Sequence, residues 1–178
     1  RTRIADLPRT SPSSALRLSP SFRTIKALAP VSSAGRGSPF LVDTNVLIKA
    51  ARRGVNISDI LGEGRARITI DVFNELVARP SLTPSQRQAR RDYLATNEIQ
   101  LLSRTESTTL AGMREFREAV ELVRVHGHSL IDARLVGFTR ASGATLVTGE
   151  RRLPNLLTQS EGYRLHVRVI RVVDVRGR

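Results

Sequence analysis

The chain has 178 residues, of which 40% are hydrophobic, so it is long enough for one domain with a sizeable core. It contains no cysteine, which excludes disulfides and thiolate metal sites and leaves oxygen and imidazole ligands. No apolar run approaches the roughly 20 residues needed to span a membrane. The net charge of +13 favours a polyanionic partner, although a GC-rich genome also produces an excess of arginine over lysine.

The first 39 residues differ in composition from the rest of the chain. They are rich in Arg, Ser and Pro and carry seven basic side chains but only one acidic side chain, Asp6. They have few aromatic residues and no sustained hydrophobic period, which predicts a basic linker or arm over residues 1–39. Because the sequence begins with Arg1 rather than Met, we expect a processed product or a piece of a longer polypeptide.

From Phe40 onward, strand-like segments alternate with helix-like segments, which favours an α/β fold with a mostly parallel sheet between helical layers. In chain order the pattern predicts a strand at 40–44, helices at 46–53 and 57–61, a strand at 66–70, helices at 71–79 and 84–96, a strand at 99–102, helices at 105–125 and 129–142, a strand at 144–148, a helix at 151–158 and a strand at 163–173.

Three polar residues are predicted to cap helices. Asn45 precedes the first helix, Thr83 stands before Pro84, and Ser129 lies three residues before Asp132. Each of these residue types can accept a hydrogen bond from a free amide of the first helical turn. We therefore expect Asn45 to have a structural role.

Four carboxylates lie at the ends of otherwise apolar segments: Asp43, Glu75, Asp132 and Glu150. Ligands of open parallel sheets bind at the carboxyl ends of the strands, where Asp43 and Glu150 are predicted to lie. Acidic groups that converge beside a core repel one another unless a cation holds them. Oxygen ligands favour a hard ion, Mg²⁺ or Mn²⁺. The pattern therefore indicates a metal-dependent phosphodiesterase.

The segments FLVDTNVLI, ITIDVFNELVARP and SLIDARLVGFTRASGATLVTGERRL resemble those of the PIN-domain nucleases in order and spacing. The resemblance covers residues 40–173 and implies a PIN-like domain over 40–178, a three-layer α/β/α sandwich around a mostly parallel sheet. The haloacid dehalogenase-type phosphatases fit less well, because they need a second aspartate where this chain has Asn45 and a lysine downstream of it.

The resemblance implies a set of site residues. Asp43, Glu75 and Asp132 match the acids found almost throughout the family, and Glu150 occupies the position of the fourth, where its extra methylene puts direct coordination in doubt. Thr148 matches the hydroxyl residue that orients the metal-bound network. These side chains are the expected catalytic residues, and the four acids are the expected ligands of Mg²⁺ or Mn²⁺.

Residues next to the acids are candidates for binding substrate. Thr44 follows the first acid, and Arg134, Arg151 and Arg152 lie near the third and fourth acids in the sequence. Arginine forms bidentate contacts with phosphate, whereas exposed helix arginines are often merely solvated. We therefore expect these four residues to contact a phosphate backbone.

The resemblance further implies an endoribonuclease of the VapC toxin type, acting on tRNA or ribosomal RNA in the bacterial cytoplasm and neutralised by a cognate antitoxin. The basic leading segment also fits the C-terminal part of a larger secreted polymorphic toxin that is paired with an immunity protein. A homodimer is expected, since relatives often dimerise. Two alternatives stay open, namely a catalytically silent PIN-like module that binds nucleic acid or protein and a nuclease directed at DNA.

Overall fold

A computed structural model describes residues 25–27, 39–62, 64–159 and 165–172 of the chain. The strands within these residues are β1 (Ile25–Ala27), β2 (Phe40–Val42), β3 (Ala66–Ile68), β4 (Gln100–Leu101), β5 (Thr145–Thr148) and β6 (His166–Val172). The helices within them are α1 (Thr44–Arg53), α2 (Ile57–Leu61), α3 (Ile70–Val77), α4 (Pro84–Thr96), α5 (Arg104–Ala111), α6 (Arg114–Val125), α7 (Leu130–Ser142) and α8 (Arg152–Gln159). None of these helices combines the length and apolar character required to cross a membrane.

The strands form one sheet in the order β1-β6-β5-β2-β3-β4. β6, β5, β2, β3 and β4 are parallel, and β1 adds an antiparallel edge in which Ile25 pairs with Val172. β1 lies inside the segment predicted to be a basic arm. The division of the chain near residue 39 stays a prediction.

The central strands are covered on both faces. Phe40, Leu41 and Val42 of β2 are all buried, as is every residue of β5. Successive side chains of a strand point to opposite faces, so burial of consecutive residues requires a layer on each side. The predicted α/β architecture, with a mostly parallel sheet between helical layers, is confirmed.

The chain reverses its direction of progress across the sheet beside β2. From β2 it runs outward through β3 to β4, and it then returns to place β5 on the other side of β2. In open parallel sheets, the carboxyl ends of two strands separated by such a switch form a crevice in which ligands bind. Asp43 and Thr148 stand at this crevice, since Val42 pairs with Val147 and the Asp43 amide donates to the Val147 carbonyl at 2.9 Å.

Most predicted boundaries agree with the structure to within a few residues, but two predictions are wrong. The N-cap of α1 is Asp43 rather than Asn45, which lies inside the first turn of the helix. The single helix predicted over 105–125 is two helices, because the chain breaks at Gly112 and Met113. Thr83 and Ser129 do cap α4 and α7, and Thr83 forms a full capping box with Gln86.

The packing of α6 on α7 depends on a glycine. The rings of Phe116 in α6 and Phe138 in α7 lie 4.8 Å apart between centroids. A Cβ atom added to Gly137 of α7 would lie 2.7 Å from the Phe116 ring and 3.0 Å from a methyl group of Val120. α7 also carries Asp132, so this close contact helps to fix the position of that acid.

We expect Gly137→Ala to lower the free energy of unfolding by about 1 kcal/mol, because overpacking costs about 1–3 kcal/mol and outweighs the roughly 1 kcal/mol gained from helix propensity. Gly112→Ala is the matched control, since a Cβ there meets its nearest neighbour at 3.4 Å. Urea denaturation of both variants measures the difference. A Gly137→Ala variant as stable as the wild type would contradict this account of the packing.

Candidate functional site

Asp43 is a buried carboxylate at the carboxyl end of the central strand β2, with 8% of its surface exposed. Its Oδ2 atom accepts a hydrogen bond from the Thr148 hydroxyl at 2.7 Å and another from the Asn45 amide. Thr148 is the last residue of the neighbouring strand β5. The carboxylate is therefore held across the crevice by groups from two segments far apart in sequence.

Asn45 links the same two segments. Its Nδ2 donates to Asp43 and lies 3.4 Å from the Thr148 hydroxyl, and its Oδ1 accepts from the Gly149 amide at 2.8 Å. A Cβ atom on Gly149 would lie 2.8 Å from this Oδ1 atom. A larger residue at position 149 would therefore displace the Asn45 amide, and Asn45 positions the buried carboxylate in place of the predicted capping role.

Glu75 lies on α3 with both carboxylate oxygens engaged. Oε2 accepts from the Thr44 hydroxyl at 2.8 Å, and Oε1 accepts from Arg79 Nη2 at 3.0 Å. Because Thr44 follows Asp43 directly, this contact brings α3 to the end of β2. The Thr44 hydroxyl donates to this carboxylate, and its predicted contact with substrate stays a prediction.

Asp132 lies in the first turn of α7 and takes part in the capping of that helix. The Ser129 hydroxyl accepts from the Asp132 amide at 3.1 Å and donates to the Asp132 carboxylate at 2.7 Å. The side chain is half-buried. The capping and site interpretations of this residue are thus compatible, because one serine serves both the amide and the carboxylate.

The electrostatic environment of Asp43 shows that these acids converge. The pKa of the Asp43 carboxyl is raised from 3.8 to about 6, chiefly by burial and also by the negative charges of Asp132 and Glu75, while hydrogen bonds from Thr148 and Asn45 oppose the rise. Charges act on a pKa in this way only over short distances. The structure therefore brings together three of the four acids that the sequence singled out.

Glu150 stands at the margin of this group. Its amide donates to the Thr148 hydroxyl at 3.2 Å, which places its backbone at the crevice. Its carboxylate is absent from the charges that shift the Asp43 pKa. A ligand role for Glu150 stays a prediction.

The arginines predicted to bind substrate occupy different surroundings. Arg151 and Arg152 are exposed immediately after Glu150, on the approach to α8 and at its first residue. Arg134 lies 3.1 Å from a carboxylate oxygen of Asp71, measured from its Nε atom. Asp71 lies one turn before Glu75 on α3, so this ion pair ties the helix of Glu75 to the helix of Asp132. Arg134 is thus partnered, while Arg151 and Arg152 face solvent.

The donor set of Asp43, Glu75 and Asp132 fits a hard divalent cation in its chemistry. The carboxylates supply the oxygen atoms that Mg²⁺ and Mn²⁺ prefer, and their mutual repulsion favours a cation between them. Among the described residues, no three carboxylate or imidazole groups stand close enough to ligate one ion as they are arranged here. Glu75 and Asp132 are instead turned toward Thr44, Arg79 and Ser129.

Neither a family-model scan nor a search of curated proteins finds a match for this sequence. Solved structures do match. A chain of VapBC2 from Rickettsia felis, bound to a DNA fragment from their promoter, superposes with a TM-score of 0.54 at 18% identity, covering 74% of this chain and 98% of that one. This is the fold of the VapC-type PIN domains. A chain of VapBC-1 from nontypeable Haemophilus influenzae gives a TM-score of 0.53 at 17% identity, covering 73% and 96%. The predicted PIN-like fold is confirmed. At these sequence identities, the similarity between the structures shows a shared fold and nothing more.

The sequence patterns do not reveal several residues of this candidate site. Asn45 was assigned to a helix cap, and Arg79 was not considered, although its position four residues after Glu75 is the spacing of an intrahelical ion pair. The Lys49 ammonium would lie 3.6 Å from a Cβ atom at Gly149, so it stands at the rim of the crevice. Lys49 lies four residues after Asn45 on α1, a spacing that could have indicated its place.

We expect Asp43→Asn to stabilise the metal-free protein above about pH 6. The folded-state pKa of Asp43 is raised from 3.8 to about 6, so ionisation of this group destabilises the fold as the pH rises through that window. The free energy of unfolding of the variant, relative to the wild type, should be unchanged near pH 4 and should rise by about 1–3 kcal/mol by about pH 7.

Urea denaturation in EDTA across this pH range measures the difference. Adding Mg²⁺ at about pH 7 should stabilise the wild type and leave the variant unchanged, because a ligand stabilises only a state that binds it. A difference between variant and wild type that stays constant with pH would contradict the assigned burial of an ionised Asp43.

Proposed function

We propose that this protein is a metal-dependent endonuclease that hydrolyses phosphodiester bonds in RNA. The observation that carries the proposal is the convergence of Asp43, Glu75 and Asp132 at the switch point of the sheet, with the Asp43 pKa raised to about 6. A carboxylate whose pKa is strongly raised by burial and by neighbouring acids, at such a point of the sheet, is characteristic of a functional site rather than of a stabilising contact. The net charge of +13 supports a polyanionic substrate.

The chain contributes an oriented set of oxygen ligands and no nucleophile of its own. Asp43 is fixed by Thr148 and Asn45, while Glu75 and Asp132 would turn from Thr44, Arg79 and Ser129 toward the cation. Bound Mg²⁺ or Mn²⁺ would activate a water molecule and screen the charge that develops on the phosphoryl oxygens. We expect Arg151 and Arg152, which are exposed, to meet phosphates that approach the crevice. The expected products carry a 5′-phosphate and a 3′-hydroxyl.

We further propose that the nuclease is a bacterial toxin held inactive by a protein partner. The fold it shares with chains of VapBC toxin–antitoxin proteins supports an antitoxin, and an immunity protein would serve a toxin delivered as part of a larger polypeptide. The proposed substrate is structured RNA, either tRNA or ribosomal RNA, and the proposed site of action is the bacterial cytoplasm.

We expect Asp43→Asn and Asp132→Asn each to reduce RNA cleavage by more than about 100-fold, beyond the roughly 10–100-fold loss typical of a residue that only orients a ligand. Thr148→Val should fall within that smaller range, since Thr148 acts through Asp43. EDTA should abolish cleavage, and Mg²⁺ or Mn²⁺ should restore it. Sequencing of RNA ends after brief expression measures activity and locates the cut.

Asp92→Asn is the matched control, because Asp92 is an exposed carboxylate of α4 that accepts a hydrogen bond from Gln88. It should cleave at the wild-type rate. Equal cleavage by the wild type and Asp43→Asn would refute the site. Binding of RNA without any cleavage in Mg²⁺ or Mn²⁺ would favour a silent binding module, and faster cutting of DNA than of RNA would reassign the substrate.

A further inference from the structure

Three arginines from three different helical segments meet beside the acidic site. Arg52 lies at the end of α1, Arg79 follows α3, and Arg90 lies in α4. Burial lowers the pKa of Arg90, and the neighbouring positive charges of Arg52 and Arg79 lower it further. The Arg90 guanidinium is therefore close enough to Arg52 and to Arg79 to be repelled by both, and a bound anion would relieve this repulsion.

Within the described part of the chain, Arg52 and Arg90 form no ion pair with a carboxylate. Arg90 donates through Nη1 to the carbonyl of Leu76 at 2.6 Å, which fixes the guanidinium at the end of α3. Arg79 is bound to Glu75 at 3.0 Å. The cluster thus begins at one of the site acids and extends away from it with two positive charges that no carboxylate of the described residues neutralises.

Arg52 and Arg90 border a groove between α1 and α4 with a volume of about 210 Å³. Its lining consists of Ile48, Ala51, Arg52, Gln86, Ala89 and Arg90. The small alanine side chains leave room above the helices, while Arg52, Arg90 and Gln86 supply hydrogen-bond donors and no carboxylate lies in the lining. Such a groove suits an anion attached to a bulky neutral group, as a backbone phosphate is attached to its nucleoside.

The position of the groove relative to the acids selects the phosphate that it would hold. Arg52 lies eight residues after Thr44 on α1, a distance of about 12 Å along the helix axis. This distance is too large for Arg52 to contact a phosphate placed among the acids. The distance suits a second phosphate, further along the same nucleic-acid strand.

We infer that Arg52 and Arg90 form a subsite for a backbone phosphate of single-stranded RNA flanking the scissile position. The inference rests on the proposed function, because it assumes that the acids hold the scissile phosphate. Arg79 connects the two places through its ion pair with Glu75. RNA is favoured over an acidic protein segment because it is the substrate of the proposed function and because the groove has room for a nucleoside beside the phosphate.

The test measures binding of a fluorescein-labelled RNA hairpin with a single-stranded loop, in Mg²⁺ and in an Asp132→Asn background that should prevent cleavage. Arg52→Ala should weaken binding by about three- to tenfold at low salt and reduce the slope of log affinity against log salt by about 0.7. Arg52→Ala combined with Arg90→Gln should reduce the slope by about 1.4, for two lost contacts.

Arg91→Ala is the matched control, since Arg91 is an exposed neighbour of Arg90 on the same helix. It should leave affinity and slope near their starting values. Arg52→Lys should retain most of the salt slope, because it keeps the charge. Affinity and slope unchanged in both Arg52 variants and in the double variant, or an equal loss in Arg91→Ala, would overturn the subsite. A polyglutamate peptide that loses affinity as strongly as the RNA would overturn its assignment to phosphate.

A cleavage assay separates this inference from the proposed function. In the otherwise wild-type protein, Arg52→Ala should raise KM for the hairpin by about three- to tenfold and leave kcat unchanged, because a flanking contact contributes equally to substrate and transition-state binding. Cleavage with an unchanged KM would remove the subsite and leave the nuclease proposal intact. A wild-type protein that binds the hairpin through Arg52 but cannot cut RNA would remove the nuclease proposal and leave Arg52 as an RNA contact that flanks no scissile position.

Discussion

The site depends on one physical constraint, which is that the Asp43 carboxylate is buried at the switch point of a parallel sheet. Burial of a charge beside apolar strands is unfavourable unless hydrogen bonds and a counter-charge compensate for it. Thr148 and Asn45 supply the hydrogen bonds, but the nearest charges, those of Asp132 and Glu75, are also negative. The fold therefore maintains a site of concentrated negative potential, and the surrounding residues are arranged around it.

Acidic and basic side chains alternate around this site. Arg79 neutralises Glu75 on one side, and Arg134 pairs with Asp71 one turn earlier on the same helix. α3 is thus connected by ion pairs both to its own C-terminal end and to α7. Beyond Arg79 the balance changes, because Arg52 and Arg90 add positive charge without a described acidic partner. Arg52 and Arg90 would attract a polyanion that approaches the crevice, whereas the site acids would repel it. The polyanion could occupy both places only when a bound cation offsets the charge of the acids.

Local sequence patterns predicted the elements well where the determining interaction is local. Thr83 and Ser129 cap helices through residues three positions away, so their roles are readable from the sequence. Asn45 was misassigned because its partner is Gly149, 104 positions further along the chain. The apolar residues over 105–125 keep a helical spacing across Gly112, so the pattern predicts one helix. The spacing of apolar residues carries no information on the break between α5 and α6 at this point.

The acids of the site could be found from sequence because each lies at the end of an apolar segment, a position set by the fold class. The arginine cluster could not be found, since Arg52, Arg79 and Arg90 belong to segments whose packing against one another is a tertiary property. Because arginine is frequent along the whole chain, the sequence gives no sign that these three lie together. Glu150 is the opposite case. Its position at the end of an apolar segment is clear from the sequence, but its carboxylate does not contribute to the raised pKa of Asp43.

The long sequence separation between Asp43 and Thr148 has a consequence for synthesis of the protein. The two residues are 105 positions apart, and β5 must pair with β2 before their hydrogen bond can form. At translation rates of about 5–20 residues per second, the ribosome needs roughly 5–20 seconds to add the second residue after the first. During those seconds a nascent chain carries Asp43 without its partner Thr148, so a destructive activity of this site would begin only after β5 has paired with β2.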